Sequence, residues 1–247
     1  MDQALLSSLF VPQRSYLCSQ CNVRDICLPT GMTRDELECI DGRMVSGRQR
    51  LVRGERLFQV GDRFDACYAI WTGHFKSCVM SKDGREQVTG FQMAGELIGL
   101  DGIGSGRHEV DAVALDDSQV CVIQYADLEA LTLEVGSLQQ QFHRFLSHEI
   151  VRNHRVMLLL GSMNAEERLA AFLVNLTQRQ RQRGYSASSI VLRMSREEIG
   201  SYLGLKIETV SRTFSKFQAN GLLFVRHRQI QVVDPVGLQL IVDGEIA

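Results

Sequence analysis

The pattern that most constrains the fold is a helix–turn–helix sequence towards the end of the chain. Ser195 and Glu198 have the spacing of a capping box, in which each side chain accepts a hydrogen bond from the backbone N–H of the other residue. Gly204 supplies a tight turn, and a second helix is predicted from about Ile207 to Asn220. Residues 224–232 then alternate in polarity like a hairpin with a basic tip, which predicts a wing.

The distribution of charge indicates what such a module binds. The net charge is −2, yet residues 178–228 contain 10 Lys and Arg residues against 3 Asp and Glu residues. A basic segment attached to an acidic body is typical of a module that binds a polyanion, although a solvated charged face would give the same count. Together with the helix–turn–helix sequence, the charge favours double-stranded DNA as a partner.

Composition and segment lengths predict a cytoplasmic protein without a membrane segment. The hydrophobic fraction of 45% and the charged fraction of 23% are ordinary for a globular chain. The apolar stretch Leu5–Val11 is short and has no basic residue before it, and no uninterrupted apolar run is long enough to span a bilayer. In a reducing compartment, the seven cysteines are more often metal ligands or redox groups than disulfides.

Three of the cysteines are closely spaced. Cys18, Cys21 and Cys27 fall within ten residues in a Cys-x2-Cys-x5-Cys pattern, so a short loop can wrap them around one centre. A fourth ligand must come from elsewhere in the chain. Cys121 is favoured because it lies on a predicted strand, which gives a rigid anchor, and Cys39 is the alternative.

Four thiolates suit either a tetrahedral zinc ion or an iron–sulfur cluster. Structural zinc sites usually combine two paired ligand motifs, and the sequence contains no second Cys-x2-Cys, which favours the cluster. Cys67 and Cys78 lie on strand-like segments, where free cysteines are most often small buried hydrophobic residues.

The patterning divides the chain into four regions and predicts an α+β fold. Residues 1–44 form a cysteine arm, and residues 45–130 are rich in glycine and short apolar alternations, which predict an antiparallel β-roll or barrel. From about residue 131 the period becomes helical, so residues 131–163 are assigned to a long dimerisation helix. Residues 164–247 form the winged helix–turn–helix domain.

One face of the long helix has the spacing of a coiled-coil seam. The steps between successive positions alternate between four and three residues. A polar residue at a seam position commonly fixes the register of pairing, so the central asparagine favours a homodimer over a helix that packs only on its own domain. The seam consists of Leu146, Ile150, Asn153, Met157 and Leu160.

These motifs together resemble the CRP/FNR superfamily, and specifically its FNR (fumarate and nitrate reduction regulator) branch. The resemblance covers nearly the whole chain, and the cysteine arm and the recognition helix are its most specific parts. It is carried by the Cys-x2-Cys-x5-Cys-Leu-Pro arm that ends at Pro29, Leu57-Phe58-x-x-Gly61-Asp62, Glu86–Phe91, Gly95–Gly99, Ile103–Gly106, Asn164–Phe172 and Gly204-Leu205-x-x-Glu208-Thr209-Val210-Ser211-Arg212.

The resemblance implies a β-roll of the cyclic-nucleotide-binding type and a mechanism. Cys18, Cys21, Cys27 and Cys121 match the four ligands of an oxygen-labile [4Fe–4S] cluster. An intact cluster favours a dimer, which binds a two-fold symmetric DNA site with TTGAT-like half-sites, and oxygen converts or destroys the cluster and weakens the dimer. Contacts with RNA polymerase are expected of such an activator.

The second helix of the motif carries the predicted base contacts. Glu208, Ser211 and Arg212 match the family's base-reading positions, and their spacing places them on one helix face. Alone, they would be read as an ordinary surface ion pair between Glu208 and Arg212; the preceding turn and the following wing favour base reading. Phosphate contacts are predicted for Lys206, Thr209, Arg226 and Arg228.

Other classes of function fit the sequence less well. A cyclic-nucleotide site requires a glutamate where this chain has Leu100, and an Arg-Ser pair where an ungapped count places Val110 and Asp111. Arg107 could replace that arginine only after a loop shift. A cluster-free regulator that uses zinc, thiol redox chemistry or a small effector is the main alternative. An enzyme is not expected, because the sequence contains no nucleophile elbow, P-loop or metal-hydrolase motif.

Overall fold

The computed structural model describes residues 16–81, 83–186 and 188–244, so the apolar stretch Leu5–Val11 lies outside the described residues. The chain divides into two compact units, Met1–Glu149 and Ile150–Ala247, and the division falls within one long helix. The elements confirm the predicted fold class, with antiparallel sheets followed by a helical segment and a winged helix–turn–helix domain.

The first unit contains two four-stranded antiparallel sheets. In one, the order is β1-β8-β3-β6, and in the other it is β2-β7-β4-β5. Apolar side chains from both sheets, including the fully buried Ile70 and Phe75, form one shared core. The strands are β1 Gly47–Leu51, β2 Arg56–Phe58, β3 Ala66–Thr72, β4 His74–Met80, β5 Glu86–Met93, β6 Leu97–Ile98, β7 Asp111–Ala114 and β8 Ser118–Gln124.

The cysteine arm packs against the β-roll through short elements. It contains a three-residue 3-10 helix, Cys18–Gln20, and the helices α1 Arg24–Cys27 and α2 Arg34–Ile40. Ile26 lies against Gly95, whose φ is +88°; a Cβ atom built on this glycine would lie 2.8 Å from the Ile26 Cβ atom. Only a residue without a side chain therefore lets the arm approach this turn so closely.

Two helices follow the β-roll. α3 runs from Tyr125 to Glu134, so the helical segment begins six residues before the predicted position of about 131. The arm, β3, β8, α3 and the start of α4 Gly136–Ser162 share a second apolar core, whose buried members include Leu28, Ile123 and Leu131.

The second unit contains the predicted helix–turn–helix and wing. Ser195 and Glu198 form the predicted capping box at α6, and Gly204 ends this helix with the left-handed φ of +63°. β10 and β11 pair as the predicted hairpin, and β9 pairs with β11. The elements are α5 Ala165–Gln182, β9 Ser189–Val191, α6 Arg196–Leu203, α7 Ile207–Ala219, β10 Leu223–Arg226, β11 Gln229–Val232 and α8 Pro235–Val242.

Candidate cluster site and DNA-binding surface

The arm and the β-roll bring four thiols together. Cys18 begins the 3-10 helix, Cys21 follows its last residue and Cys27 ends α1, whereas Cys121 lies on β8. Electrostatic interactions connect all six pairs that these four thiols can form. The three arm cysteines therefore lie within electrostatic range of Cys121, and Cys18 and Cys27 pack against the apolar core that contains it.

Burial disfavours the thiolate form of Cys18, Cys27 and Cys121. Burial, followed by the charge of neighbouring thiolates, raises the pKa of Cys18 to about 12. Burial also raises the pKa of Cys27 and of Cys121 above the ordinary thiol value, although Arg48 opposes the shift at Cys121. A metal ligand must be a thiolate, so metal binding here would release protons and would be favoured by rising pH.

Cys39 and Cys78 lie outside this group, whereas the charge of Cys67 on β3 also acts on Cys27. Cys39 donates a hydrogen bond of 3.7 Å to a carboxylate oxygen of Glu134 and accepts one of 3.2 Å from Arg43. Cys67 and Cys78 are buried, as predicted, and burial is the main cause that raises the pKa of each to about 12. Cys39, the alternative fourth ligand, therefore contacts an ion pair rather than the other thiols.

The four thiols have the right chemistry to bind a cluster, but their side chains are not already arranged around one metal ion. Within residues 16–81, 83–186 and 188–244, no three His, Cys, Asp or Glu side chains are arranged to hold one metal ion. Four thiols are nevertheless the complete donor set of a [4Fe–4S] cluster, in which each thiolate binds a different iron atom. Cys18, Cys21, Cys27 and Cys121 are the residues that would hold it.

Sequence reasoning missed Arg48, which lies beside this group. It is directly opposite Cys121 in the pairing of β1 with β8, and its positive charge opposes the rise in the pKa of the Cys121 thiol. Its guanidinium carbon lies 3.9 Å from the centre of the Trp71 ring. The sequence offered no local signal for this contact, because it depends on the pairing of strands about 70 residues apart.

An apolar pocket joins the cysteine group to the long helix. The pocket is lined by Cys27, by four residues of α4 and by four residues of other segments, namely Leu138, Gln141, Phe142 and Phe145, and Met44, Leu97, Ile123 and Leu128. A change in the position of Cys27 therefore alters side-chain packing on α4 directly, since packed cores respond to volume changes of even one methylene group.

The seam positions follow one face of α4. Ile150 and Met157 are 56% and 70% exposed, which is unusual for large apolar side chains and leaves them open to pairing. Asn153 is exposed between them, Leu160 is 37% exposed and Leu146 is half-buried.

The second helix of the motif presents its predicted base contacts to solvent. Glu208, Ser211 and Arg212 are all exposed on α7, while Val210, Thr213 and Phe214 of the same helix are buried. Of the predicted phosphate contacts, Lys206, Arg226 and Arg228 are exposed and Thr209 is half-buried. Side chains that reach a DNA groove must project in this way from a helix that is fixed at its back.

Close packing fixes the two helices of the motif. Ile199 and Leu203 of α6 and Val210 of α7 are completely buried. Gly200 allows the turn to approach, because a Cβ atom there would lie 2.5 Å from the carbonyl oxygen of Leu205. The Arg196 guanidinium carbon stacks 3.3 Å from the centre of the Phe214 ring, and burial lowers the pKa of this arginine to about 10.

Arg168 connects three helices within the second unit. Its guanidinium donates hydrogen bonds to the carbonyl oxygens of Leu160 at 3.0 Å, Met163 at 2.8 Å and Leu203 at 3.0 Å. Leu160 lies near the end of α4, and Leu203 is the last residue of α6, so one side chain from α5 binds the ends of both.

The β-roll position expected to bind a nucleotide phosphate contains a carboxylate. Asp111 lies 3.5 Å from Arg56 in an ion pair and accepts a hydrogen bond of 2.8 Å from the backbone N–H of Val60. Arg107 is exposed and donates a hydrogen bond of 2.7 Å to the carbonyl oxygen of Gly61. The negative charge of Asp111 would repel a phosphate at this position.

Two family models match the chain. The cyclic nucleotide-binding domain model matches residues 48–134, and the Crp-like helix-turn-helix domain model matches residues 167–241. Separately, among the residues that the structure describes, no helix has both the length and the apolar character that crossing a membrane requires.

Curated relatives match over most of their length. The transcriptional regulatory protein btr of Bordetella pertussis is 44% identical, over 92% of this chain and 94% of the relative. The fumarate and nitrate reduction regulatory protein of Escherichia coli K12 is 41% identical, over 87% and 86%. The solved structure of FixK2 from Bradyrhizobium japonicum has a TM-score of 0.72 at 30% identity, and the match covers 78% of this chain and 96% of FixK2.

The matched relatives are transcriptional regulators rather than enzymes. The helix–turn–helix domain of this chain implies DNA binding. The identity and the coverage, together with both domain matches, establish that the chain belongs to the FNR branch of the CRP/FNR family of transcription regulators.

Proposed function

We propose that this regulator responds to oxygen through a [4Fe–4S] cluster and binds DNA as a homodimer while the cluster is intact. The ligands are Cys18, Cys21, Cys27 and Cys121. The observation that carries the proposal is the mutual proximity of these four thiols, with Cys39 bound to a separate ion pair. When bound, the cluster supplies an oxygen-labile centre whose integrity depends on the surrounding redox conditions.

The arm transmits the state of the site to the dimer helix. Cys27 and α4 line the same apolar pocket, and Leu28 is buried in the core that includes the start of α4. When the four thiols bind one centre, the arm is fixed against β8, and this packing favours one position of α4. Without that constraint, α4 loses part of its support, which weakens pairing along the seam of Leu146, Ile150, Asn153, Met157 and Leu160.

The recognition helix then reads the DNA site. Arg212 donates to guanine in the major groove, Glu208 accepts from cytosine, and Ser211 adapts to either partner. Lys206, Thr209, Arg226 and Arg228 contact phosphates and so fix the orientation of the domain without reading sequence. A two-fold symmetric site with TTGAT-like half-sites is the expected target, in the cytoplasm, with RNA polymerase as the partner in activation.

The test is anaerobic purification, followed by assays of iron and acid-labile sulfide, the visible spectrum and binding to a labelled duplex. We expect about four irons and four sulfides per chain. We also expect tight binding to a TTGAT-containing palindrome, and loss of both absorbance and DNA affinity in air. A duplex with scrambled half-sites, measured at the same salt concentration, is the control.

Each alternative gives a distinct result in the same experiment. Stoichiometric zinc with DNA binding that is indifferent to air would replace the cluster with a structural metal. Absence of metal, together with DNA binding that depends on added thiol reductant, would favour thiol redox chemistry. Either result would remove the oxygen-responsive cluster and leave a DNA-binding regulator.

A further inference from the structure

Arg48 contacts the cysteine group from the strand next to Cys121. These two residues are paired across β1 and β8, and cross-strand partners have Cβ atoms only about 5 Å apart. The Arg48 guanidinium opposes the rise in the pKa of the Cys121 thiol, and its charge also lowers the pKa of Cys18. The guanidinium therefore lies near one thiol of the β-roll and one thiol of the arm.

Two aromatic rings hold this guanidinium in place. Its central carbon lies 3.9 Å from the centre of the Trp71 ring and 5.0 Å from the centre of the Tyr16 ring. Trp71 is itself fixed, because its indole N–H donates a hydrogen bond of 2.9 Å to the side-chain oxygen of Asn22, which lies between two of the proposed ligands. Stacking on aromatic faces orients the planar fork of an arginine in a way that a lysine cannot reproduce.

One donor of the held side chain lacks an acceptor. The Nε atom of Arg48 is buried and has no hydrogen-bond partner among the described residues. A buried N–H without an acceptor is unfavourable and is uncommon in folded proteins. The carboxylate of Asp41, whose charge acts on Cys18, accepts its hydrogen bonds from Ser19, including one of 3.0 Å from the Ser19 backbone N–H.

A four-thiolate cluster would supply the missing acceptor. A doubly positive cubane held by four thiolates carries two net negative charges, which are unfavourable at a half-buried site unless a cation compensates them. Hydrogen bonds to cluster sulfurs and nearby charge are also the main protein influences on reduction potential and stability.

We propose that Arg48 is the charge-compensating and positioning residue of the cluster site, with one N–H bound to the Cys121 thiolate and Nε–H offered to a sulfur of the bound cluster. This assignment rests on the proposed function. Arg48 is not a ligand; it lowers the free energy of the loaded, negatively charged site and keeps Cys121 oriented towards the arm.

The test compares Arg48→Gln and Arg48→Lys with Arg50→Gln. Arg50 is exposed two residues along the same strand and pairs with Gln119, so its substitution removes the same charge farther from Cys121. Each chain is reconstituted anaerobically with iron and sulfide. The measurements are the midpoint potential in a mediated dithionite titration and the rate at which an iron chelator bleaches the visible absorbance. Thermal unfolding of each apo-protein checks folding.

We expect Arg48→Gln to lose iron to the chelator about tenfold faster, because a hydrogen bond to a charged group is lost. Its midpoint potential should become more negative, because reduction adds a negative charge that the cation no longer balances. Arg48→Lys keeps the charge but loses the stacked fork, so it should lose iron about threefold faster. Arg50→Gln should match the wild type in both measurements.

The outcomes separate this assignment from the proposed function. A wild-type chain that binds no iron overturns the cluster and the role of Arg48 together. A wild-type chain that binds four irons, with Arg48→Gln unchanged in both potential and chelator rate, overturns only the role of Arg48. If the Arg48→Gln apo-protein does not fold, Arg48→Lys decides, and a rate of iron loss to the chelator equal to that of the wild type would overturn the assignment.

Discussion

The cysteine arm and the DNA-binding domain are built on different principles. In the DNA-binding domain, α6 begins with a complete capping box at Ser195 and ends at the left-handed Gly204, and α7 extends over 13 residues. Near the first cysteines, the 3-10 helix has 3 residues and α1 has 4, and neither has a side-chain cap among the described residues. Helices of this length are not stable in isolation.

This difference shows where each region obtains its stability. A complete capping box at α6 and buried apolar side chains on both α6 and α7 specify these helices, so the domain can hold its recognition surface without a ligand. The stability of the segment with Cys18, Cys21 and Cys27 depends on contacts with the β-roll and, in the proposed function, on the bound cluster.

Removal of a proposed cluster ligand should prevent the arm from binding iron without affecting the DNA-binding domain. Cys121→Ser is expected to reduce bound iron from about four atoms per chain to nearly none, because three arm thiolates cannot complete the donor set. Cys39→Ser is the matched control and should keep its iron, since Cys39 contacts Glu134 and Arg43 instead. Iron and sulfide assays on anaerobically purified chains decide the matter; loss of iron in both variants would contradict the assignment of Cys121 over Cys39.

Removal of a proposed base contact should weaken DNA binding and leave the bound iron unchanged. Arg212→Ala is expected to weaken binding to the preferred duplex by about 100-fold or more, because the proposed dimer loses one bidentate contact with guanine in each half-site. The iron content should be unchanged. Fluorescence anisotropy with matched and single-base-substituted duplexes measures the effect. A uniform loss on every duplex would instead assign Arg212 to a phosphate contact.

A substitution on α4, the helix between these two regions, should change dimerisation by an intermediate amount. Asn153→Asp places two carboxylates opposite each other in the proposed dimer, where paired asparagines could hydrogen-bond. We expect the dimer dissociation constant of the apo-protein to rise by about five- to tenfold, because like charges repel across a partly desolvated seam. Sedimentation over a range of protein concentrations gives the constant. An unchanged dissociation constant would refute a role of Asn153 in pairing. Asn153→Gln is the uncharged control.

The smallest effect should come from the cap of α6. Ser195→Ala removes the side chain that accepts the hydrogen bond of 3.1 Å from the Glu198 backbone N–H. Loss of such a cap costs about 1 kcal/mol of unfolding free energy. Urea unfolding of the DNA-binding domain in the full chain should show this change, while bound iron remains constant. Ser195→Asp, which retains an accepting oxygen, should restore most of the lost stability.

Much of the fold could be predicted because its signals are local. Residue spacing alone predicted the capping box at Ser195, the turn at Gly204 and the hairpin after α7. The capping box of Thr33 and Glu36 at α2 was equally legible and was overlooked. The early start of α3 at Tyr125 was harder to predict, because β8 passes directly into the helix without a glycine or proline between them.

The candidate site was predicted only in part, because its completion is not local. Spacing alone groups Cys18, Cys21 and Cys27, but it leaves Cys39 and Cys121 as alternatives for a fourth ligand. The fold distinguishes their surroundings by placing Cys121 beside the arm and Cys39 beside Glu134. The position of Arg48 at this site could not be predicted from the sequence. Its neighbours are brought together by the pairing of β1 with β8 and by two separate aromatic residues.

The contact of Ile26 with Gly95 has a consequence for genetics. A methyl group at position 95 would occupy the space of the Ile26 side chain and would also be strained by the positive φ. The arm would have to withdraw from the β-roll at a point that carries no thiol. We therefore expect a genetic selection for loss of the proposed oxygen response to recover substitutions of this glycine alongside those of the cysteines. Shortening Ile26 to valine should not compensate, because valine keeps the Cβ and Cγ2 atoms that a side chain at position 95 would meet.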